Sequence, residues 1–113
     1  MRSNFKMEEQ YITMTRGDTL SFGLYVMGLG DQDLETAFFT CKSNRSDDVN
    51  VFKKALGAGI SKYDDEKYVV RVAPEDTKNV EAGKYFYDLE IGLNGDTFTV
   101  MKGIIEITQD VTV

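Results

Sequence analysis

Side chains able to do chemistry are few in this sequence, and most of them are carboxylates. Asp31-Gln32-Asp33 and Asp64-Asp65-Glu66 concentrate oxygen atoms on short stretches, the ligand type that calcium gathers several at a time. Neither run fits a complete calcium loop. Solvated turns are therefore expected, with Asp64 and Asp65 as weak candidates for a metal. Asp88 and Glu90 fall on one face of any strand. Such a pair could do acid–base work if its surroundings pushed the two pKa values apart, but cross-strand pairing with Lys or Arg is the simpler expectation. The chain has no histidine, which removes the commonest general base and metal ligand. A single cysteine, Cys41, can build neither a thiolate zinc cluster nor an internal disulfide. It sits in an alternating run, so a buried, small, apolar role is expected of it rather than a reactive thiol. No Gly-x-Gly-x-x-Gly run opens a helix, and there is no Walker-type phosphate loop. No catalytic residue and no cofactor is expected.

Two further groups of residues bear on binding. Arg16-Gly17-Asp18 matches the tripeptide read by some adhesion receptors, but Gly17 also suits a bend leading into a strand, and the bend is the expected role. Phe38 and Phe86, with Tyr25, are expected on the faces of their strands that point away from the core. Apolar groups there mark either contact with another chain or packing beneath a loop. Phe38, Phe86 and Tyr25 are accordingly the candidate interaction surface.

The elements that must position these groups are strands. From Gly83 to Leu93, Tyr85, Tyr87, Leu89, Ile91 and Leu93 alternate with Phe86, Asp88, Glu90 and Gly92, the period of a strand with one buried face. Asn94-Gly95 follows, a pair suited to the two positive-φ positions of a type I′ hairpin turn, and Asp96 to Met101 returns as the second arm. Leu20, Phe22, Leu24 and Val26 predict a long central strand. Ala37, Phe39 and Cys41 predict another inward row, as do Tyr68, Val70 and Val72. Tyr11–Thr15 reads as a short first strand, and Val51–Leu56 fits either a short strand or a helical turn, with the strand favoured. Gly103 is expected to form a bulge before a last strand over Ile104–Thr108. Pro74-Glu75-Asp76 opens the one helical piece, with Pro at the first helical position and acids where the helix dipole favours them. Lys42, Lys53, Lys54 and Arg71 would protect sheet edges if they fall there. Seven or eight short strands at this spacing predict an all-β fold, an antiparallel β-sandwich with one short helical turn. Residues 1–10 are expected to be a flexible arm, and 11–113 the sandwich domain.

Bulk properties agree with a single domain. The 113 residues are 42% hydrophobic and 12% aromatic, enough for one core without metal or disulfide staples. The formal charge of −6 repels a phosphate backbone, and no basic stripe with interleaved aromatics occurs, so nucleic-acid binding is not expected. No apolar leader and no run long enough to span a bilayer is present, so no membrane partner is expected and the chain reads as a soluble product made in the cytoplasm.

The order of motifs resembles a known family. Ile12-Thr13-Met14-Thr15-Arg16-Gly17-Asp18-Thr19-Leu20-Ser21-Phe22 is similar to the opening of immunoglobulin-like modules in tailed-phage and prophage structural proteins. These include the N-terminal domain of baseplate upper proteins, which attach receptor-binding proteins to the baseplate. Thr36 to Lys42, Ala73-Pro74-Glu75-Asp76-Thr77, Gly83 to Leu89, and Gly103 through Ile107 to Asp110-Val111-Thr112 follow in the same order. Residues 43–66 match poorly, and the baseplate proteins continue into long helical regions. The resemblance implies an immunoglobulin-like sandwich and a non-enzymatic assembly part of a tail or baseplate. Other phage structural proteins and further copies of itself would be its partners, in a virion. A carbohydrate-binding sandwich is the alternative, with Tyr25, Tyr63 or Phe86 serving as the stacking platform that Trp usually provides.

Overall fold

A computed structural model describes residues 8–29, 32–46 and 49–111. Eight strands and one helical turn follow in order: β1 (Glu8–Thr15), β2 (Leu20–Tyr25), β3 (Thr36–Lys42), β4 (Asn50–Leu56), β5 (Gly59–Asp64), β6 (Lys67–Val72), α1 (Pro74–Thr77), β7 (Gly83–Leu93) and β8 (Asp96–Thr108). They hydrogen-bond in the order β1-β8-β7-β3-β4-β5-β6-β2. Between β4 and β5 the ladder narrows to Ala55 opposite Gly59 and Leu56 opposite Ile60, around a turn where Gly57 and Gly59 both take positive φ.

At that joint the sheet folds over on itself. One leaf holds β1-β8-β7-β3-β4, the other β5-β6-β2. Phe22 of β2 meets Phe39 of β3 edge-to-face at 5.4 Å between ring centroids, which brings the two leaves face to face. Five strands with β1 beside β8, against three, is the strand arrangement of an immunoglobulin-like sandwich.

The core forms where alternation sends apolar side chains between the leaves. Ala37, Phe39 and Cys41, then Tyr68, Val70 and Val72, then Tyr87, Leu89 and Ile91 are all buried, as expected. Phe39 sits at the centre, 5.5 Å from Tyr87 and 5.9 Å from Phe52. Antibody domains place a Trp against an inter-sheet disulfide here; this chain fills the space with aromatic rings. Just before Tyr87, the hydroxyl of Tyr85 donates to the carbonyl of Glu81. This ties the entry of β7 back onto the chain after α1, the tyrosine corner typical of the fold. Tyr85–Phe86–Tyr87 thus serves two leaf faces and a corner in three residues.

Burial in this apolar centre pushes the Cys41 thiol from 9.0 up to about 12, since the thiolate would lose its hydration. The folded chain therefore holds the neutral thiol more firmly than the unfolded chain does. The stability this contributes is complete below about pH 9 and disappears as the pH rises to about 12. The margin of wild type over Cys41→Ala should narrow across that window in denaturant titrations. Alkylation of Cys41 at neutral pH should proceed only through opening of the fold, at a rate that tracks global stability. Prompt labelling of the native chain would contradict this burial.

Asn94 and Gly95 take φ of 55° and 80°, as a type I′ turn requires, so the hairpin forms as expected. Five expectations need correction. The strand expected to be central, β2, ends the strand order among the described residues and is an edge there. Residues 8–10, expected to belong to a flexible arm, pair with Met101, Lys102 and Gly103 in parallel register, while residues 1–7 lie outside the described ones. The sheet is therefore not wholly antiparallel. The bulge lies at Val100, between the pairs Leu89–Met101 and Glu90–Thr99, and β8 runs unbroken through Gly103. Gly103 is needed for close approach instead: a Cβ there would come within 2.1 Å of the Gln10 carbonyl oxygen. Lys42, Lys53, Lys54 and Arg71 all lie on strands inside the order, whose two ends are β1 and β2, so none of them protects an edge.

Candidate interaction surface

The five-stranded leaf turns one face to the core and the other outward. On that outer face the register sets Phe86 between Lys42 and Ile104, Asp88 between Thr40 and Lys102, and Ile104 beside Tyr11. Phe38 stands next to Glu90. These aromatic rings are not bare. The Lys53 ammonium lies 4.4 Å from the Phe38 centroid, and the Arg45 guanidinium 4.8 Å from that of Phe86. Both rings are half-buried as a result. Each contact is worth about 0.5–1 kcal/mol at an exposed site. Tyr11, half exposed, passes its hydroxyl proton toward Glu106 as a hydrogen bond, and this bond, with the nearby carboxylate, holds the tyrosine pKa above its ordinary value.

A cavity of about 290 Å³ opens on this face, lined by Thr40, Lys42, Arg45, Phe86, Asp88 and Lys102 among others. Asp88 has Lys102 directly opposite on β8, the cross-strand neighbour expected for it. The aromatic candidates are divided between the leaves. Phe38 and Phe86 share the outer face of the larger one, whereas Tyr25 projects from β2 on the smaller, 64% exposed. There the Lys67 ammonium sits 5.4 Å from the Tyr25 ring and 4.6 Å from that of Tyr63.

The acidic turns are used to hold loops. Asp64 accepts from the Glu66 amide at 3.1 Å, closing the β5–β6 turn. Glu66 accepts from the Gly28 amide at 2.7 Å, which anchors the loop after β2. Asp33 pairs with Lys62 at 2.5 Å, and that hydrogen bond raises the lysine pKa; Asp31 lies outside the described residues. Asp65 is exposed. Among the described residues, no group of three or more His, Cys, Asp or Glu is placed to hold a metal ion.

Arg16-Gly17-Asp18 is a clamp at the bend between β1 and β2. Arg16 donates to Asp110 at 3.0 and 3.1 Å and to the Val80 carbonyl at 3.3 Å, and the Gly17 amide donates to the buried Thr77 hydroxyl at 2.8 Å. The guanidinium is thus engaged within the fold, where an adhesion receptor would need it projecting.

Sequence reasoning missed Arg45 and Lys102 as parts of the outer face. Arg45 lies in a polar loop with no periodicity to place it. Lys102 follows a bulge that shifts the phase of β8, so counting in twos from the hairpin puts it on the wrong side. Lys42 was legible, since it shares the alternation of Phe38 and Thr40.

No protein-family model and no curated protein matches the chain. Among solved structures it is similar to the extracellular domain of the voltage-gated sodium channel beta4 subunit, described as forming parallel homodimers that explain its role in cell–cell adhesion. The two are 10% identical over 98% of each chain, with a TM-score of 0.45. No helix among the described residues is long and apolar enough to cross a membrane.

Proposed function

We propose that this chain is a non-enzymatic structural module of a phage or prophage tail or baseplate, held by other proteins through the outer face of its five-stranded leaf. The observation that supports it best is that face: Phe38 and Phe86 under cations, continuing through Ile104 to Tyr11. An apolar base with movable charged covers suits protein contact, because the aliphatic and planar parts of Lys and Arg can be rearranged against a partner. The ordered motif series from Ile12 to Thr112 adds the phage context, and the scarcity of catalytic side chains agrees with an assembly role. The product would be made in the bacterial cytoplasm and incorporated into a virion, with tail proteins and further copies of itself as neighbours.

Mass measurements across a concentration series, with and without the products of adjacent tail genes, test this. Self-association or a stable complex is expected, weakened in Phe38→Asp and Phe86→Asp variants that keep the wild-type melting behaviour. A strict monomer at high concentration with no affinity for those products would end the proposal.

One observation favours the carbohydrate alternative. Tyr25 and Tyr63, 64% and 69% exposed, flank one ammonium on the smaller leaf, and exposed rings can stack on sugars. Glycan-array binding lost in Tyr25→Ala and Tyr63→Ala would support that alternative; an empty array would dismiss it.

A further inference from the structure

The cavity on the larger leaf reverses the sign of the molecule. The chain carries a formal −6, but among the described residues three cations, Lys42, Arg45 and Lys102, line this opening against a single carboxylate, Asp88. Asp88 stands opposite Lys102 in the register of β7 and β8. Lys42 and Arg45 have no carboxylate partner among the described residues. The Arg45 guanidinium lies over the Phe86 ring, which covers one face of the plane and leaves its edge donors for another group. A guanidinium fixed in this way is suited to take a carboxylate through two parallel hydrogen bonds. The Thr40 hydroxyl at the same opening supplies a neutral donor.

We propose that this cavity is an acceptor site for the carboxylate side chains of a partner polypeptide, Arg45 gripping one carboxylate and Lys42 attracting a second. The proposal rests on the assembly role above and names the chemistry of the partner. An acidic segment short enough to sit within the opening fits better than an extended polyanion, because three cations line it on a chain of formal charge −6. A long polyanion running beyond the opening would meet the net negative charge of the chain.

The test uses the full chain, isotope-labelled, with a short oligo-glutamate peptide as probe and an oligo-lysine peptide and inorganic phosphate as controls. Saturable amide shifts should centre on Thr40, Lys42, Arg45, Phe86 and Lys102. They should weaken as salt rises. The double variant K42E/R45E, checked for an unchanged melting curve, should bind roughly tenfold more weakly. Arg45→Lys should lose part of the affinity, since it keeps the charge without the fork, and Asp88→Asn should gain some. Absence of saturable shifts, shifts centred elsewhere, or equal binding by K42E/R45E would overturn the proposal. Phosphate binding as tightly as the peptide would also overturn it, pointing to a free-anion site. Entry of K42E/R45E into a tail assembly at wild-type strength would remove this assignment and leave the assembly role standing. Peptide binding by a chain that joins no assembly would do the opposite.

Discussion

Phe39→Ala is expected to lower stability by about 3–5 kcal/mol, the range for deleting a large ring from a packed core. Phe39 is fully buried and contacts Phe22, Phe52 and Tyr87, so three rings lose a shared neighbour. These four residues come from β2, β4, β7 and β3, and β2 belongs to the opposite leaf. A collapse that refilled the space would have to shift both leaves, which is why little relief is expected. Domains of this kind hold about 5–15 kcal/mol in total, so the variant should unfold at much lower denaturant concentration and be partly unfolded when warmed. Phe39→Leu, which keeps apolar bulk, should fall between the two. Chemical denaturation of the three proteins checks it, and a loss below about 1 kcal/mol for Phe39→Ala would mean that the two leaves do not depend on this ring.

The second large effect is expected at Asp76. Its carboxylate accepts from the Ala73 amide at 2.7 Å, capping α1, and from the Lys54 ammonium at 3.0 and 3.2 Å. The side chains are only 20% and 17% exposed. Asp76→Ala therefore removes a cap and leaves a largely covered ammonium without its counter-ion. A cap alone is worth about 0.5–2 kcal/mol, and stranding a buried charge adds more, so about 2–3 kcal/mol is expected here. Lys54→Met should cost less, because the carboxylate keeps the amide. In the double variant the losses should fall short of the sum, since the stranded charge is gone. Strict additivity in this cycle would mean that the ion pair contributes nothing.

Much of the fold was legible because it is local. Alternation over Gly83–Leu93, the Asn94-Gly95 turn and Pro74 at the head of α1 each encode their own geometry within a few residues. The inward rows ending in Cys41, Val72 and Ile91 followed from period two alone. What escaped is non-local. Nothing in Glu8–Gln10 says that these residues run parallel to β8, since the decisive partner is Gly103, far along the chain. β2 reads as a central strand because its apolar face is rich, but an edge strand in a sandwich can bury that face equally well. The candidate site was half legible. Phe38 and Phe86 could be placed outward from alternation, while their cationic covers came from Lys53 on a neighbouring strand and Arg45 in an aperiodic loop. Tyr25 was correctly outward but on the other leaf, because sequence alternation gives the face of a strand and not the sheet to which it belongs.

The parallel pairing of β1 with β8 has a mechanical consequence. Glu8 lies beside Met101 and Thr15 beside Thr108. Tension applied at Glu8 and Thr108 in opposite directions would slide the two strands lengthwise past each other. Every bond between them would then resist at once, together with the Arg16 amide on the Thr108 carbonyl at 2.8 Å; a hairpin pulled at its open end gives way one rung at a time. Rupture under force is governed by the unfolding barrier rather than by equilibrium stability, so this geometry suits a part that must withstand stretching between its neighbours.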